Sequence, residues 1–455
     1  MQIETVNPAT EKVLDSYKIL TPSEIDEKIE AAHQRYLAWR KVGFSQRKQH
    51  MLQLASLLRK HQDKYATLMA QEMGKPITAG KAEIEKCARV CEHYADEAEN
   101  YLAPRSIKTE MSKTTVSHHP MGVVFAIMPW NFPFWQVFRF AAPTIMAGNA
   151  GILKHAPIST GTGNAIEELF TEAGFPKYLF QHFILDNDLA AQVIAHEKVA
   201  AVTLTGSERA GSAVASNAAA HLKKSVLELG GNDPYLVLAD ADLDLAAKSI
   251  IASRFNNSGQ VCIAAKRIIA VKEVVEELTE KLIERAKGYH MGDPLKEDTN
   301  FGPMARKDLR ETLHNQVLAS KDKGAKIALG GEIPKGVGFY YPPTVLTNVK
   351  PGMTAFDEEL FGPVIGIIEA QDEAQAIQLA NQSNYGLGGA VFTRDIARGE
   401  HIATYEIETG SCFVNAFVAS DPRVPFGGIK RSGFGRELSQ EGILEFVNIK
   451  TVGIQ

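Results

Sequence analysis

Short apolar segments alternate with helical segments along this chain, and that alternation constrains its fold more than any other feature. The apolar runs lie at 123–127, 151–154 and 199–204, and the last two are each followed by a helical pattern. The same rhythm returns after Gly231, with an apolar run at 268–271 and an amphipathic helix behind it. Buried strands that alternate with helices form parallel, doubly wound sheets. We therefore predict an α/β fold with two doubly wound parallel-sheet lobes.

The composition excludes several classes of partner. The net charge is −5, so the chain offers no electrostatic basis for binding nucleic acid or an anionic membrane. The longest strongly apolar stretch, 122–128, is far shorter than a membrane span. The first residues have no signal-peptide pattern, so we expect a cytoplasmic protein. Four cysteines in 455 residues indicate no disulfide framework, and their spacing to histidines predicts no metal site.

Three residues lie in runs that suggest chemistry at a carbonyl group. The thiolate of Cys262 can attack an aldehyde and hold the product as a thioester. The carboxylate of Glu228 can activate the water that releases this product. Asn131 directly follows a buried strand, where doubly wound sheets bind ligands, and its carboxamide can donate to an oxyanion. Taken singly, a cysteine is more often a small core residue and this asparagine a turn residue.

Six ordered motifs resemble those of the aldehyde dehydrogenase superfamily, and the resemblance covers essentially the whole chain. The motifs are Pro129–Pro133, Leu204–Ser207 with Gly211, Leu227–Gly231, Gly259–Cys262, Glu358–Pro363 and Pro425–Gly428. The resemblance implies a Rossmann-type cofactor domain, a catalytic domain and a small β oligomerisation element. On that basis we predict a cofactor-binding domain at 1–228, to which 107–122 adds part of the oligomerisation element. A catalytic domain at 229–435 and an oligomerisation tail at 436–455 complete the prediction.

The resemblance also implies the roles of the three reactive residues. Cys262 is the expected nucleophile, and Asn131 together with the Cys262 backbone N–H is the expected oxyanion hole. Glu228 is the expected base for hydrolysis of the thioester. Relatives that pass the acyl group to coenzyme A typically lack this glutamate, so its presence favours a hydrolytic last step.

NAD or NADP is the cofactor that the resemblance implies. The residues expected to bind it are Trp130, Lys154, Pro157, Gly206, Ser207, Leu229, Glu359 and Phe361. Many relatives that prefer NAD have a glutamate three residues after this lysine, where it repels a 2′-phosphate. Pro157 occupies that position here, so NADP should be tolerated, although proline adds no donor for the phosphate. The preference between the two cofactors stays open at this point.

Within the superfamily the chain is similar to bacterial succinate-semialdehyde dehydrogenases. The similarity suggests a substrate site that contains Arg139, Trp135 and Ser420. Arg139 lies eight residues after Asn131, two helical turns along, and a guanidinium there would bind the far carboxylate of a C4 semialdehyde. The alternatives are an ion pair to another part of the protein for Arg139 and core packing for Trp135. The predicted reaction is oxidation of succinate semialdehyde to succinate.

Three other functions remain possible from the sequence. The substrate could be glutarate semialdehyde, an aliphatic aldehyde or an aromatic one. A non-catalytic binding protein on the same fold and a cysteine hydrolase belong to other functional classes. The combination of Cys262, Glu228 and Asn131 argues against the binding protein. A hydrolase would need a histidine base near the thiol.

The last strand pattern, at 446–454, looks unpaired and predicts contact with another subunit, so we expect a homodimer or homotetramer.

Overall fold

The computed structural model describes residues 2–455. The α-helices are α1 (Pro22–Trp39), α2 (Phe44–Lys60), α3 (Gln62–Met73), α4 (Ile77–Tyr101), α5 (Trp135–Met146), α6 (Thr160–Glu172), α7 (Asn187–Ala195), α8 (Glu208–Ala220), α9 (Leu243–Phe255), α10 (Val275–Ala286), α11 (Lys307–Asp322), α12 (Thr354–Asp357), α13 (Glu373–Asn381), α14 (Ile396–His401) and α15 (Ser439–Leu444). The strands are β1 (Gln2–Val6), β2 (Val13–Lys18), β3 (Arg105–Ile107), β4 (Lys113–Pro120), β5 (Val123–Met128), β6 (Ala150–His155), β7 (Phe180–His182), β8 (Val199–Thr205), β9 (Lys224–Glu228), β10 (Pro234–Val237), β11 (Arg267–Val271), β12 (Lys326–Leu329), β13 (Thr344–Thr347), β14 (Val364–Ala370), β15 (Tyr385–Gly386), β16 (Gly388–Phe392), β17 (Ser411–Val414), β18 (Ile429–Lys430), β19 (Gly433–Phe434) and β20 (Val447–Ile454).

The first lobe is built on a six-stranded sheet with the strand order β19-β9-β8-β5-β6-β7. Its strands pair in parallel except for β19, which runs antiparallel to β9. The strands β5 and β6 are buried along almost their whole length, because helices cover the sheet and leave no solvated face. The apolar runs predicted from the sequence therefore form the centre of this sheet.

The second lobe has a seven-stranded sheet with the order β12-β13-β14-β11-β10-β16-β17. All its pairs are parallel except the one between β12 and β13 at one edge. The helix α10 turns Leu278, Leu282 and Ala286 into the core, as its amphipathic pattern predicts. The prediction of two doubly wound α/β lobes is confirmed.

The two lobes join where the site residues lie. Glu228 lies at the end of β9 in the first sheet, and β10 of the second sheet begins only a few residues later. The chain then returns from the second lobe, and Gly433 pairs with Glu228 to extend the first sheet. Side chains from both lobes can therefore meet at this junction. The domain boundaries at 228 and 435 stay a prediction.

The C-terminal strand has a partner within its own chain, contrary to the unpaired strand that we expected. β20 pairs antiparallel with β4, and β3 completes a three-stranded sheet. The sequence does not reveal this pairing because β4 lies more than three hundred residues earlier. The outer edge of β20 carries no further strand among residues 2–455, and its exposed apolar side chains are Ile449, Val452 and Ile454. Within the same residues, no helix has the length and apolar character needed to cross a membrane.

Candidate active site

Cys262 follows a turn of residues with left-handed backbone conformation. Asn257, Ser258 and Gly259 have φ angles of 50°, 53° and 78°. A side chain at Gly259 would lie 2.4 Å from the backbone carbon of Gly362, so this position requires glycine. Non-glycine residues in this conformation cost about 1–3 kcal/mol each and persist where the surroundings fix them. The turn thus fixes the backbone that presents Cys262.

Asn131 is bonded to the same turn. Its side-chain Nδ2 donates to the carbonyl oxygen of Gln260 at 3.0 Å, and Asn257 Nδ2 donates to the Asn131 carbonyl at 2.7 Å. The backbone N–H of Cys262 makes no hydrogen bond to any residue from 2 to 455. The loop after β5 and the cysteine loop therefore bring the two predicted oxyanion donors, the Asn131 amide and the Cys262 N–H, to one place.

Cys262 opens onto a cavity of about 180 Å³ between the lobes. Arg139, Trp135 and Ser420, the three residues predicted to bind substrate, all line this cavity. Aromatic rings form much of the remaining wall, and they belong to Phe132, Phe417 and Phe426. The lining also includes Lys86, which we did not predict. The cavity is small and mainly apolar, with a few polar groups, as is typical of sites for short organic molecules.

Arg139 combines the two contacts that the sequence left as alternatives. Its side chain lines the cavity, and its Nε lies 2.6 Å from Oε2 of Glu437, with both side chains almost fully buried. The guanidinium carbon lies 4.6 Å from the ring centroid of Phe426. The Nη2 group is buried and has no hydrogen-bond partner among residues 2–455. Arg139 therefore has a structural partner, and the N–H groups of Nη2 are left for a ligand.

Glu228 lies in a buried environment at the end of β9. Its side chain is 2% exposed, and neither carboxylate oxygen has a hydrogen-bond partner in the described part of the chain. Burial raises the pKa of Glu228 well above its usual value, the negative charge of Glu437 adds to this, and Arg139 offsets part of it. The environment of Glu228 therefore disfavours the charged carboxylate more than water does.

Cys262 is held as a thiol by the same environment. Burial raises its pKa to about 11, while the positive charges of Lys266 and Arg139 oppose this rise. Lys266 donates through Nζ to the Cys262 carbonyl and lies 2.9 Å from Oε1 of Glu359. Lys266 thus connects the nucleophile loop to a residue predicted to bind the cofactor. The sequence did not reveal it, because a lone lysine before a strand carries no motif.

The predicted cofactor residues of the first lobe line or border a second cavity. Lys154, at the end of β6, is 6% exposed and lines this cavity of about 630 Å³. No carboxylate between residues 2 and 455 pairs with its ammonium group, and burial lowers its pKa. Ser207 caps α8, accepting from Ala210 N–H at 3.4 Å, and Gly206 precedes it. An unpaired cation and a helix N-terminus fit the negatively charged phosphates and the hydroxyls of NAD or NADP.

The other predicted cofactor residues lie near the junction. Leu229 packs against α8, where a side chain at Gly211 would come within 2.6 Å of it. Oε1 of Glu359 accepts a hydrogen bond from Gly231 N–H at 3.1 Å. The remaining three are Trp130 and Phe361, whose rings meet edge to face at 5.8 Å, and Pro157, which is exposed at the turn after β6.

The high pKa of Cys262 has a consequence for thiol reactivity. Only the thiolate reacts with iodoacetamide, so the alkylation rate of the free protein should rise about tenfold per pH unit from pH 7 to 9. No plateau should occur below about pH 10, because the pKa lies near 11. Mass spectrometry of the Cys262 peptide measures the rate separately from the labelling of the other cysteines. A plateau near pH 8 would contradict a thiol that is protonated at rest.

Known proteins resemble this chain over its full length. The profile of the aldehyde dehydrogenase family matches residues 1–452. The succinate semialdehyde dehydrogenase (NAD(P)+) of Escherichia coli strain K12 is 44% identical, covering 98% of this chain and 97% of that protein. A probable succinate-semialdehyde dehydrogenase (NADP+) of Synechocystis is 45% identical, with complete coverage of both. The structure of succinic semialdehyde dehydrogenase from Streptococcus pyogenes with NADP+ superposes with a TM-score of 0.97 at 37% identity, over 99% of each chain. The resemblance predicted from the motifs is thereby confirmed, and the chain belongs to the aldehyde dehydrogenase family.

Proposed function

We propose that this enzyme oxidises succinate semialdehyde to succinate with NADP+ or NAD+. The observation that carries the proposal is the small cavity at Cys262, whose apolar wall contains the cationic side chain of Arg139 with an unpartnered Nη2. Such a cavity suits a short aldehyde with a carboxylate at its far end. The E. coli and Synechocystis relatives, at 44% and 45% identity, carry the name of this activity, which supports the choice of substrate.

The proposed chemistry begins at Cys262. Its thiolate adds to the aldehyde carbon, and the Asn131 amide and the Cys262 N–H stabilise the oxyanion of the thiohemiacetal. Removing one such donor typically costs about 3 kcal/mol in the barrier. NAD(P)+, when bound, supplies the acceptor for the hydride that leaves this carbon. The product at Cys262 is a neutral thioester of succinate.

Glu228 is the proposed base for the second half of the reaction. Its carboxylate takes a proton from water, and the resulting hydroxide attacks the thioester carbonyl, which releases succinate and the Cys262 thiolate. The elevated pKa of Glu228 makes its carboxylate a stronger proton acceptor than an ordinary glutamate. Arg139, Trp135 and Ser420 would hold the far end of the acyl chain during both halves.

The proposal includes a homodimer or homotetramer. The support comes from the three-stranded sheet, whose edge strand β20 presents Ile449, Val452 and Ile454 to the surface. An apolar edge strand is a surface that proteins usually cover or pair. The cytoplasmic location expected from the sequence also stays a prediction.

The substrate is tested by comparing three aldehydes with each cofactor in the purified enzyme. We expect kcat/KM for succinate semialdehyde to exceed that for butanal at least about 30-fold, since hydrogen bonds to a charged group contribute about 1.5–3 kcal/mol each. Glutarate semialdehyde, which is one methylene longer, should be intermediate because the cavity is short. The Cys262→Ala variant should show no turnover and serves as the blank. Equal use of butanal would leave the family intact and exclude this substrate.

The cofactor preference is tested at Pro157. Pro157→Glu introduces a carboxylate next to the expected position of the 2′-phosphate, so like-charge repulsion should weaken NADPH binding at least about tenfold. NADH binding should change by less than about threefold, since NADH has no such phosphate. Fluorescence titration of each reduced cofactor gives the Kd, and Pro157→Gln is the uncharged control. If the Glu and Gln variants bind NADPH equally, Pro157 is not near the phosphate.

A further inference from the structure

We propose that Lys86 determines substrate specificity by binding the far carboxylate of the aldehyde, together with Ser420. This inference rests on the proposed function and deepens it, because it names a charged group that the motifs do not contain. Lys86 belongs to α4, the longest helix of the first lobe, and its half-buried side chain enters the same cavity as Cys262.

Two contacts hold the Lys86 ammonium group at the cavity wall. Nζ donates to Oγ of Ser420 at 2.8 Å, and it lies 4.1 Å from the ring centroid of Trp135. The first contact joins the two lobes, and the second is a cation–π interaction. The hydroxyl of Ser420 accepts from Lys86, so its own hydrogen is left to donate to a carboxylate oxygen.

The charge of Lys86 is not balanced by the protein. Arg139 shares the cavity, but its guanidinium already pairs with Glu437 at 2.6 Å. Lys86 has no carboxylate within ion-pair distance anywhere from residue 2 to residue 455. The pair of Arg139 and Glu437 can therefore orient a ligand, whereas Lys86 supplies the net positive charge that attracts an anionic one.

The carboxylates closest to Lys86 are committed elsewhere. Glu83 pairs with Lys75, and its Oε1 accepts the backbone N–H groups of Phe134 and Trp135, each at 2.9 Å. Asp421 pairs with Arg423 at 2.8 Å. Neither carboxylate is free to turn towards the cavity without losing these contacts. A carboxylate partner for Lys86 must then come from a ligand.

The environment of Lys86 makes such a ligand favourable. Burial lowers the pKa of Lys86 to about 8, and the positive charge of Arg139 adds to this. A bound carboxylate would stabilise the ammonium form and relieve the repulsion between the two cations. The attraction between the carboxylate and the ammonium group would also be screened less by water here than at an open surface, because the wall of the cavity is mainly apolar.

Kinetics of three lysine variants test the proposal. Lys86→Met keeps the aliphatic stem beside Trp135 but removes the charge, so kcat/KM for succinate semialdehyde should fall about 10–100-fold. For butanal the change should stay within about threefold, and Lys86→Arg should recover part of the lost specificity. The matched control is Lys81→Met on the same helix, whose side chain pairs with Asp63 and Glu297 at the surface and should leave both substrates unaffected.

The outcomes separate the two proposals. If wild type does not prefer succinate semialdehyde to butanal, the proposed function fails and this inference with it. If wild type prefers succinate semialdehyde and Lys86→Met retains that preference, only the role of Lys86 is overturned. The same holds if Lys86→Met lowers kcat/KM equally for both substrates. A parallel loss would mean that Lys86 is a structural residue.

A second experiment needs no variant. Acetic anhydride acylates unprotonated amines, and a lysine with a lowered pKa reacts early. Succinate, at a concentration that inhibits turnover, should slow acetylation of Lys86 several-fold, whereas butyramide at the same concentration should not. Peptide mass spectrometry measures the rate, with Lys81 as the internal reference. An unchanged acetylation rate of Lys86 at an inhibiting concentration of succinate would overturn the proposal.

Discussion

The buried ion pair between Arg139 and Glu437 is the interaction on which the geometry of the site depends. Arg139 comes from α5 of the first lobe, and Glu437 comes from the segment that returns after the second lobe. The backbone of Glu437 also exchanges two hydrogen bonds with Phe426, whose ring lies beside the guanidinium. Removal of one member of such a pair would leave an unpaired buried charge, which typically costs about 3–5 kcal/mol. The pair thus holds one wall of the cavity in a fixed position.

The same pair also shifts the pKa values of the reacting groups. Glu437 adds to the elevation of the pKa of Glu228, while Arg139 lowers it and also lowers that of Cys262. Burial is nevertheless the larger effect at both residues, so it disfavours the charged forms of both the thiol and the carboxyl group. The protein thereby disfavours two unpaired negative charges in an apolar pocket.

The sequence predicted the residues that sit in local motifs and missed those that act alone. Cys262, Asn131 and Glu228 were predicted because each lies in a run that resembles a motif of the aldehyde dehydrogenase superfamily, and Asn131 also directly follows a buried strand. Lys86 and Glu437 could not, because a single charged residue on a helix or loop has no local signature. The Lys86–Ser420 contact spans 334 residues of sequence, and only the joining of the lobes creates it. The pairing of β20 was missed for the same reason, although three buried strands of the first sheet (β5, β6 and β8) and one of the second (β11) were correctly predicted from their apolar runs.

The most direct test of the account is to trap the acyl group on Cys262. Glu228→Gln keeps the size of the side chain and removes the proposed base, so hydrolysis should slow while thioester formation continues. After mixing with succinate semialdehyde and NADP+ and quenching in acid, intact-protein mass spectrometry should reveal a succinyl group on Cys262 in most subunits. Wild type under the same conditions should carry much less. Absence of the thioester in a variant that has produced one equivalent of reduced cofactor would contradict covalent catalysis by Cys262 with Glu228 as the hydrolytic base.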